Sequence, residues 1–387
     1  LISPKLAAGG FPAAAGENLM RIVKAISLLC LFCLLAWPAA AQTGEPSKAQ
    51  AKAPAKARSA PPKEPSFDIT EVAPGVYAAI GRGNVASNGA FIVNKDDVLV
   101  VDTHYRPSWA RDLIAEIRKV TKNPVRYVVN THWHNDHVQG NQAYVNAFGS
   151  RVEYLAQHNT RSDMESKAIP SVQDALNTGV PNRIANTEKM LKEGKNQRGE
   201  PLNDEARARL QQQLASDRAY LRELKQIQLT LPTITFERSL ILHKPDRDIH
   251  IYFFGKGHTR GDVVVYLPKE KVVVTGDLLT SGIPFMRDAY PSLWVGTLEA
   301  VAGLDWQQVI PGHGGVQPDK SQIEKLIAYM KDMVAAVKDA IDKGMTLEEA
   351  RNKIDLSRHA ASFPNFPGGN RSAIDRCWAE LTGQIKD

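Results

Sequence analysis

The stretch VRYVVNTHWHNDH, residues 125–137, decides how this chain is read. Its first half, Val125 to Asn130, is a β-branched and aromatic run that predicts a strand. Its second half packs His132, His134, Asp136 and His137 into a few positions, in a chain with only 10 histidines. At an extended strand end, residues two apart point the same way, so His132 and His134 can face one ion together. Asp136 and His137 follow as the chain turns and can face a neighbouring point. A strand C-terminus that opens into polar donors and then Gly140 is where α/β folds tend to place their sites.

One such cluster is not a complete site. Tetrahedral zinc takes about four ligands, one position being left to water in catalytic centres. Further donors stand after other predicted strands. FFGKGHTRGD (253–262) sets His258 among Gly255, Gly257 and Gly261; KVVVTGD (271–277) sets Asp277 at the end of a run of valines; VIPGHGG (309–315) sets His313 between glycines. His158, in AQHNT (156–160), is a rival at shorter spacing, but it lacks the glycine turn and the following Gly-Asp.

Around these donors the chain alternates. VYAAIG (76–81), GAFIVN (89–94) and DVLVVD (97–102) predict strands, and PSWARDLIAEIRKVT (107–121) has Leu113, Ile114, Ile117 and Val120 at helical spacing. AYVNAFG (143–149) reads as a helix and RVEYLA (151–156) as a strand. Residues 159–229 differ: charged, Gln-rich and helical, with Leu210, Leu214, Leu221 and Leu224 forming a stripe. They predict an insertion, either packed on the domain edge or covering the site. A second β-rich block follows: LPTITFE (231–237), LILH (240–243), IHIYFFG (249–255), DVVVYLP (262–268), KVVVTGD (271–277) and WQQVIPGHGG (306–315). A long amphipathic helix (322–344) and shorter ones complete the chain. Two β-rich halves with helices about both predict an α/β fold of two sheets, face to face inside helical layers.

Taken in order, HxHxDH, GHTxGD, a strand ending in GD, and PGHG resemble the metallo-β-lactamase superfamily of metallohydrolases, from about Phe67 to Lys343 apart from the insertion, which accounts for the long gap between His137 and His258. The resemblance implies a four-layer αββα sandwich with two metals at one edge of the sheets. It assigns His132, His134 and His258 to the first metal and Asp136, His137 and His313 to the second, with Asp277 bridging. Nitrogen and oxygen donors without a thiolate suit two Zn²⁺, and Fe or Mn fit the same donors. Two such metals would share a water and lower its pKa towards about 7. The expected activity is hydrolysis of a small ester, lactone, thioester or amide, with Asp136 orienting the nucleophile and moving its proton. One alternative is a β-lactamase, although the β-lactamases with a thiol on the second metal have cysteine where Asp277 stands. Another, of a different class, is a diiron redox protein of the same fold. Thr131, Thr259 and Asp102 are candidates to fix the imidazoles from behind. Between Asp277 and His313, Pro284, Phe285, Tyr290 and Trp294 either line a pocket rim or pack in the core, Arg287 is a candidate to hold a substrate carboxylate, and Trp133 is expected to pack beneath the metal motif.

Composition bounds the rest. The chain is 43% hydrophobic and 23% charged with a net charge of +6, an ordinary globular balance. No basic stripe is interleaved with aromatics, so the expected partner is a small-molecule substrate and not nucleic acid. The oligomeric state is not legible. Met20 opens MRIVKAISLLCLFCLLAWPAAAQ, in which Arg21 and Lys24 precede a short apolar core and Ala39 and Ala41 fit a cleavage site. Residues 20–41 therefore predict a signal peptide, a secreted or periplasmic protein, and no stable membrane anchor after cleavage. Residues 1–19 read as upstream read-through, 42–66 as an Ala/Lys/Pro linker, and 67–387 as the folded domain, with the insertion at about 159–229 and C-terminal helices at about 318–387. Cleavage would remove Cys30 and Cys33 and leave Cys377 with no partner for an internal disulfide.

Overall fold

Along Val98–Val101 every side chain is buried, yet in alternation: Val98 and Val100 join one apolar core, Leu99 and Val101 another. A strand with both faces covered has no polar face, which is why DVLVVD reads as an unbroken apolar run. The same alternation recurs in KVVVTGD, where Val272 and Val274 face inward and Val273 faces a third core. Three cores separated by two sheets require four layers.

The computed structural model describes residues 66–385, apart from 84 and 86. The regions expected to be read-through, signal peptide and linker lie outside the described residues, save Ser66. One sheet holds β1 (Phe67–Ala73), β2 (Val76–Gly81), β3 (Gly89–Val93), β4 (Val98–Val101), β5 (Val125–Val129), β6 (Glu153–Gln157) and β7 (Ile234–Phe236), in that order. Its first four strands are antiparallel and the remaining pairs parallel. The other sheet holds β8 (Ser239–His243), β9 (Asp248–Tyr252), β10 (Val264–Leu267), β11 (Val272–Thr280) and β12 (Gln308–His313), in the order β12-β11-β10-β9-β8. Only β11 and β12 pair in parallel there.

The core between the sheets takes Ile92, Leu99 and Val129 from one and Ile251, Val265 and Ile310 from the other. Helix α1 (Pro107–Val120) buries Leu113, Ile114 and Ile117 on the outer face of the larger sheet, together with α3 (Asn141–Phe148). Val120, placed by spacing on that stripe, is 40% exposed because it ends the helix. Between these helices lies α2 (Asn135–Val138), the single turn that carries part of the metal motif. The smaller sheet is covered by α8 (Pro291–Ala302), α9 (Ser321–Asp342), α10 (Leu347–Lys353) and α11 (Phe366–Leu381). The expected α/β sandwich of two sheets within helical layers is what the structure shows.

The segment expected to be an insertion comprises α4 (His158–Asp163), α5 (Ile169–Asp174), α6 (Val180–Glu193) and α7 (Asp204–Leu224), with π-helical turns at Met164–Ala168 and Ala175–Gly179. Its leucine stripe is only partly covered; the buried residues of α7 are Asp217, Tyr220 and Leu224. Asp217 is paired with Arg183 at 2.9 Å. No described helix is long and apolar enough to cross a membrane. Cys377, in α11, is a free thiol in the core under the smaller sheet.

Candidate metal centre

The strand ends gather the donors at one edge of the sandwich. His132 and His134 leave β5, and α2 adds Asp136 and His137. His258 comes from the loop between β9 and β10, and His313 is the last residue of β12. Asp277 differs from expectation: it lies inside β11, which runs on to Thr280. The parallel register with β12 shifts on both sides of Gly276, next to Asp277. Gly276 has φ +51°, and a Cβ there would meet Thr131 Oγ1 at 2.4 Å. The first glycine of PGHG, Gly312, has a different reason: its Cβ would sit 2.0 Å from Asp277 Oδ1.

Two donor groups form. In the first, His134 Nδ1 lies 3.2 Å from His132 Nε2 and 2.9 Å from His258 Nε2, which is 3.5 Å from Asp277 Oδ2. The three rings meet nearly at right angles, at 81°, 87° and 88°. In the second, His137 Nε2 and His313 Nε2 are 3.4 and 3.3 Å from Asp136 Oδ2, and both are 3.3 Å from Asp277 Oδ1. Asp277 thus turns one oxygen to each group. Within each of the sets His132, His134, His258, Asp277 and Asp136, His137, His313, the ligand atoms lie within 4.8 Å of one another.

The donors fit two divalent ions. His137 Nε2 and Asp277 Oδ1 are buried and make no hydrogen bond, although they are near neighbours. Leaving such groups unpaired costs about 1–3 kcal/mol each, more when charged, and a cation between them removes that cost. The donor set is imidazole and carboxylate throughout, which suits zinc.

Charge divides the histidines. Burial pushes His258 down to about 3 and lowers His132 well below the usual range, so both are neutral and ready to donate a lone pair. At His313 burial acts downward, but Asp277 and Asp136 outweigh it and push the ring up to about 10. His137 is likewise raised, and Asp136 and Asp277 are held well below the usual carboxylate range despite burial.

Behind the donors, Asp102 Oδ2 accepts from His137 Nδ1 at 2.7 Å and from Thr131 Oγ1 at 2.7 Å, and Oδ1 accepts from Thr131 N at 2.8 Å. Thr131 Oγ1 is in turn 3.0 Å from His132 Nδ1. Asp102 holds this post from a left-handed backbone, φ +61°, just past β4. Thr259 does not support an imidazole: its N and Oγ1 donate to Asp262, at 2.7 and 2.8 Å. Asp288 was not anticipated. Its Oδ2 is 3.0 Å from His134 Nε2, and no periodicity marks it, because it stands in an irregular loop.

A cleft of about 340 Å³ opens over Asp136, Asp277 and His313. Trp133, Asn135, Ser171, Phe285, Arg287 and Asp288 also line it. Ser171 belongs to α5 and accepts from Asn135 Nδ2 at 2.9 Å, so this helical segment borders the site. Two candidate rim residues are placed elsewhere. Trp294 is fully buried and Tyr290 nearly so. Pro291–Ala302 is helix α8, with Pro291 in its first turn and Trp294, Leu298 and Val301 on its buried face. Pro in the first helical turn and that spacing were the available signal. Trp294 lies beneath His258, ring centres 5.7 Å apart. His158 is exposed at the start of α4 and joins neither donor group.

The sequence is similar to those of known proteins. The sequence profile described as the metallo-beta-lactamase superfamily matches residues 82–334. A linear primary-alkylsulfatase of Pseudomonas sp. is 22% identical over 295 residues, 70% of this chain and 50% of that protein. The chain therefore spans about half the length of that relative. A metallo-beta-lactamase type 2 of Bacteroides fragilis is 22% identical over 260 residues, 64% of this chain and 79% of the relative. Among solved structures, a metallo-beta-lactamase from Pontibacter korlensis, 19% identical, aligns over 68% of this chain and 99% of its own with a TM-score of 0.49.

Proposed function

This chain belongs to the metallo-β-lactamase superfamily, and from that premise we propose that it is an exported, dinuclear, metal-dependent hydrolase of a small ester, lactone, thioester or amide. The observation that carries the reading is Asp277, with Oδ2 turned to His258 and Oδ1 to His137 and His313. His132, His134 and His258 would hold one ion, Asp136, His137 and His313 the other, and Asp277 both. Zinc held there would polarise the substrate oxygen and lower the pKa of a water to near neutrality.

The chain's own groups do the rest. Asp136 lines the cleft and stays ionised, so its carboxylate can orient the attacking water and take its proton. Asp102 keeps the His137 proton on Nδ1, and so fixes Nε2 as the donor facing the site. Asp288 does the same for His134, whose Nδ1 faces inward. Arg287 stands at the rim, where its guanidinium can meet an anionic group of the substrate. Export rests on residues 20–41, outside the described residues.

Metal analysis with an activity panel tests this reading. Two zinc ions per chain are expected, with ester turnover abolished by a chelator and by Asp136→Ala. The names of the relatives place an alkyl sulfate and a chromogenic cephalosporin in the same panel. Unchanged metal content in the double variant His132→Ala, His134→Ala would overturn the ligand set. Iron with a visible absorption band would overturn the zinc assignment.

A further inference from the structure

Phe285 stands between two hollows. On one side is the cleft over the donors. On the other is a chamber of about 370 Å³ that shares Asp277, His313 and Phe285 with the cleft. Its far walls are Ile283 and Pro284, from the loop after β11, and Pro364 and Asn365, just before α11.

The polar groups of these walls are spent on one another. Asn365 Oδ1 accepts from Ile283 N at 2.9 Å, and Asn365 Nδ2 donates to Ile283 O at 2.8 Å. Thr280 Oγ1 donates to Gly282 O at 3.0 Å. A Cβ at Gly282 would lie 2.5 Å from Asn365 Oδ1, so the clamp needs a residue with no side chain there. Apart from the exposed Ser281 at its edge, the chamber is left with carbon walls: Ile283, Pro284, Pro364 and the ring of Phe285. Phe285 is 53% exposed, the most of any large hydrophobic residue among the described residues. Its ring faces the site, the centre 6.0 Å from that of His134.

We propose that this chamber binds an unbranched alkyl or acyl chain of the substrate, whose reactive group then lies over Asp277 and His313. Continuity decides the occupant. The chamber shares His313 and Phe285 with the cleft and continues from them into apolar walls, whereas the cleft, besides Trp133 and Phe285, is bordered by Arg287, Asp288, Asn135 and Ser171. The reaction at the far end rests on the hydrolase reading above; the chain-binding chamber does not.

Two series separate them. Linear alkanoates from acetate to octanoate are titrated calorimetrically into the zinc-loaded protein. Burying each methylene raises affinity by up to roughly fourfold, and about twofold is expected for a chamber open on one side. Pro364→Trp, which fills the chamber, should flatten the series. Affinity independent of chain length in the wild type overturns the proposal, whether or not the variant folds; so does an unaltered series in a folded Pro364→Trp protein. The second series measures kcat/KM on p-nitrophenyl esters of the same acids. Length-dependent binding without turnover of any ester would overturn the hydrolase reading and leave the chamber standing. Turnover with no length dependence in either series would do the reverse.

Discussion

Asp102 Oδ2 and His137 Nδ1 are 2.7 Å apart, in a pocket where both side chains are almost wholly shielded from water. The same oxygen also accepts from Thr131 Oγ1, which sits against His132. One carboxylate therefore aligns a donor of each group, and Asp102→Asn disturbs both. Metal affinity is expected to fall about 10–100-fold, the usual cost of losing such a supporting bond. Competition with a chromogenic chelator measures it. An unchanged affinity would show that Asp102 is only a turn residue.

Gly312 has no side chain because Asp277 occupies the space. Gly312→Ala would drive a methyl to within 2.0 Å of Asp277 Oδ1 and displace the one carboxylate that serves both groups. Metal content is expected to fall from two ions per chain to one or fewer, with an overpacking cost of about 1–3 kcal/mol in stability. Gly315→Ala is the control, since nothing lies within 4 Å of its added Cβ. Metal analysis and thermal unfolding of both variants read the difference. Full metal content in Gly312→Ala would show that the carboxylate can move without loss.

Without metal, His313 titrates at about 10, because Asp277 and Asp136 outweigh its burial, and His137 is raised as well. Near neutral pH both rings carry protons, and an ion that takes their lone pairs must displace them. His132 and His258 are lowered by burial and release none. Zinc affinity is therefore expected to rise between pH 6 and 9, by roughly tenfold per pH unit for each proton released. Calorimetry in buffers of different ionisation enthalpy counts those protons directly. An affinity independent of pH would mean that the two rings are neutral before the metal arrives.

Much of this was legible because the donors sit where strand periodicity breaks. His132 to His137, His258 and His313 each end or follow an apolar run, and glycines beside them mark the tight turns. Asp277 was found by the Gly-Asp pair but placed at a strand end, since the register shift at Gly276 depends on a partner strand far along the chain. From sequence alone Trp294 and Tyr290 suit a pocket wall as well as a core, because aromatics near a site serve in either. Only the packing of α8 under His258 decides between them. Asp288 and Ser171 left no local trace, because both reach the cleft through contacts across long sequence separations.

Asp262 gives a stability test that needs no metal. Its carboxylate accepts from Thr259 N and Thr259 Oγ1, yet burial outweighs these bonds and pushes it up to about 7. The usual value, near 3.9, applies to the unfolded chain. The folded protein thus holds this proton more tightly than the unfolded chain does. The contribution to stability is complete below about pH 4 and is lost as pH rises through about 7. Asp262→Asn carries no proton to lose, and its amide can still accept from Thr259 N. The stability of the wild type relative to this variant should therefore decline steadily from pH 4 to pH 8 in chelator-treated protein. Unfolding midpoints across that range measure it. A difference that stays level would mean that the bonds from Thr259 hold Asp262 ionised, and that burial does not govern this loop.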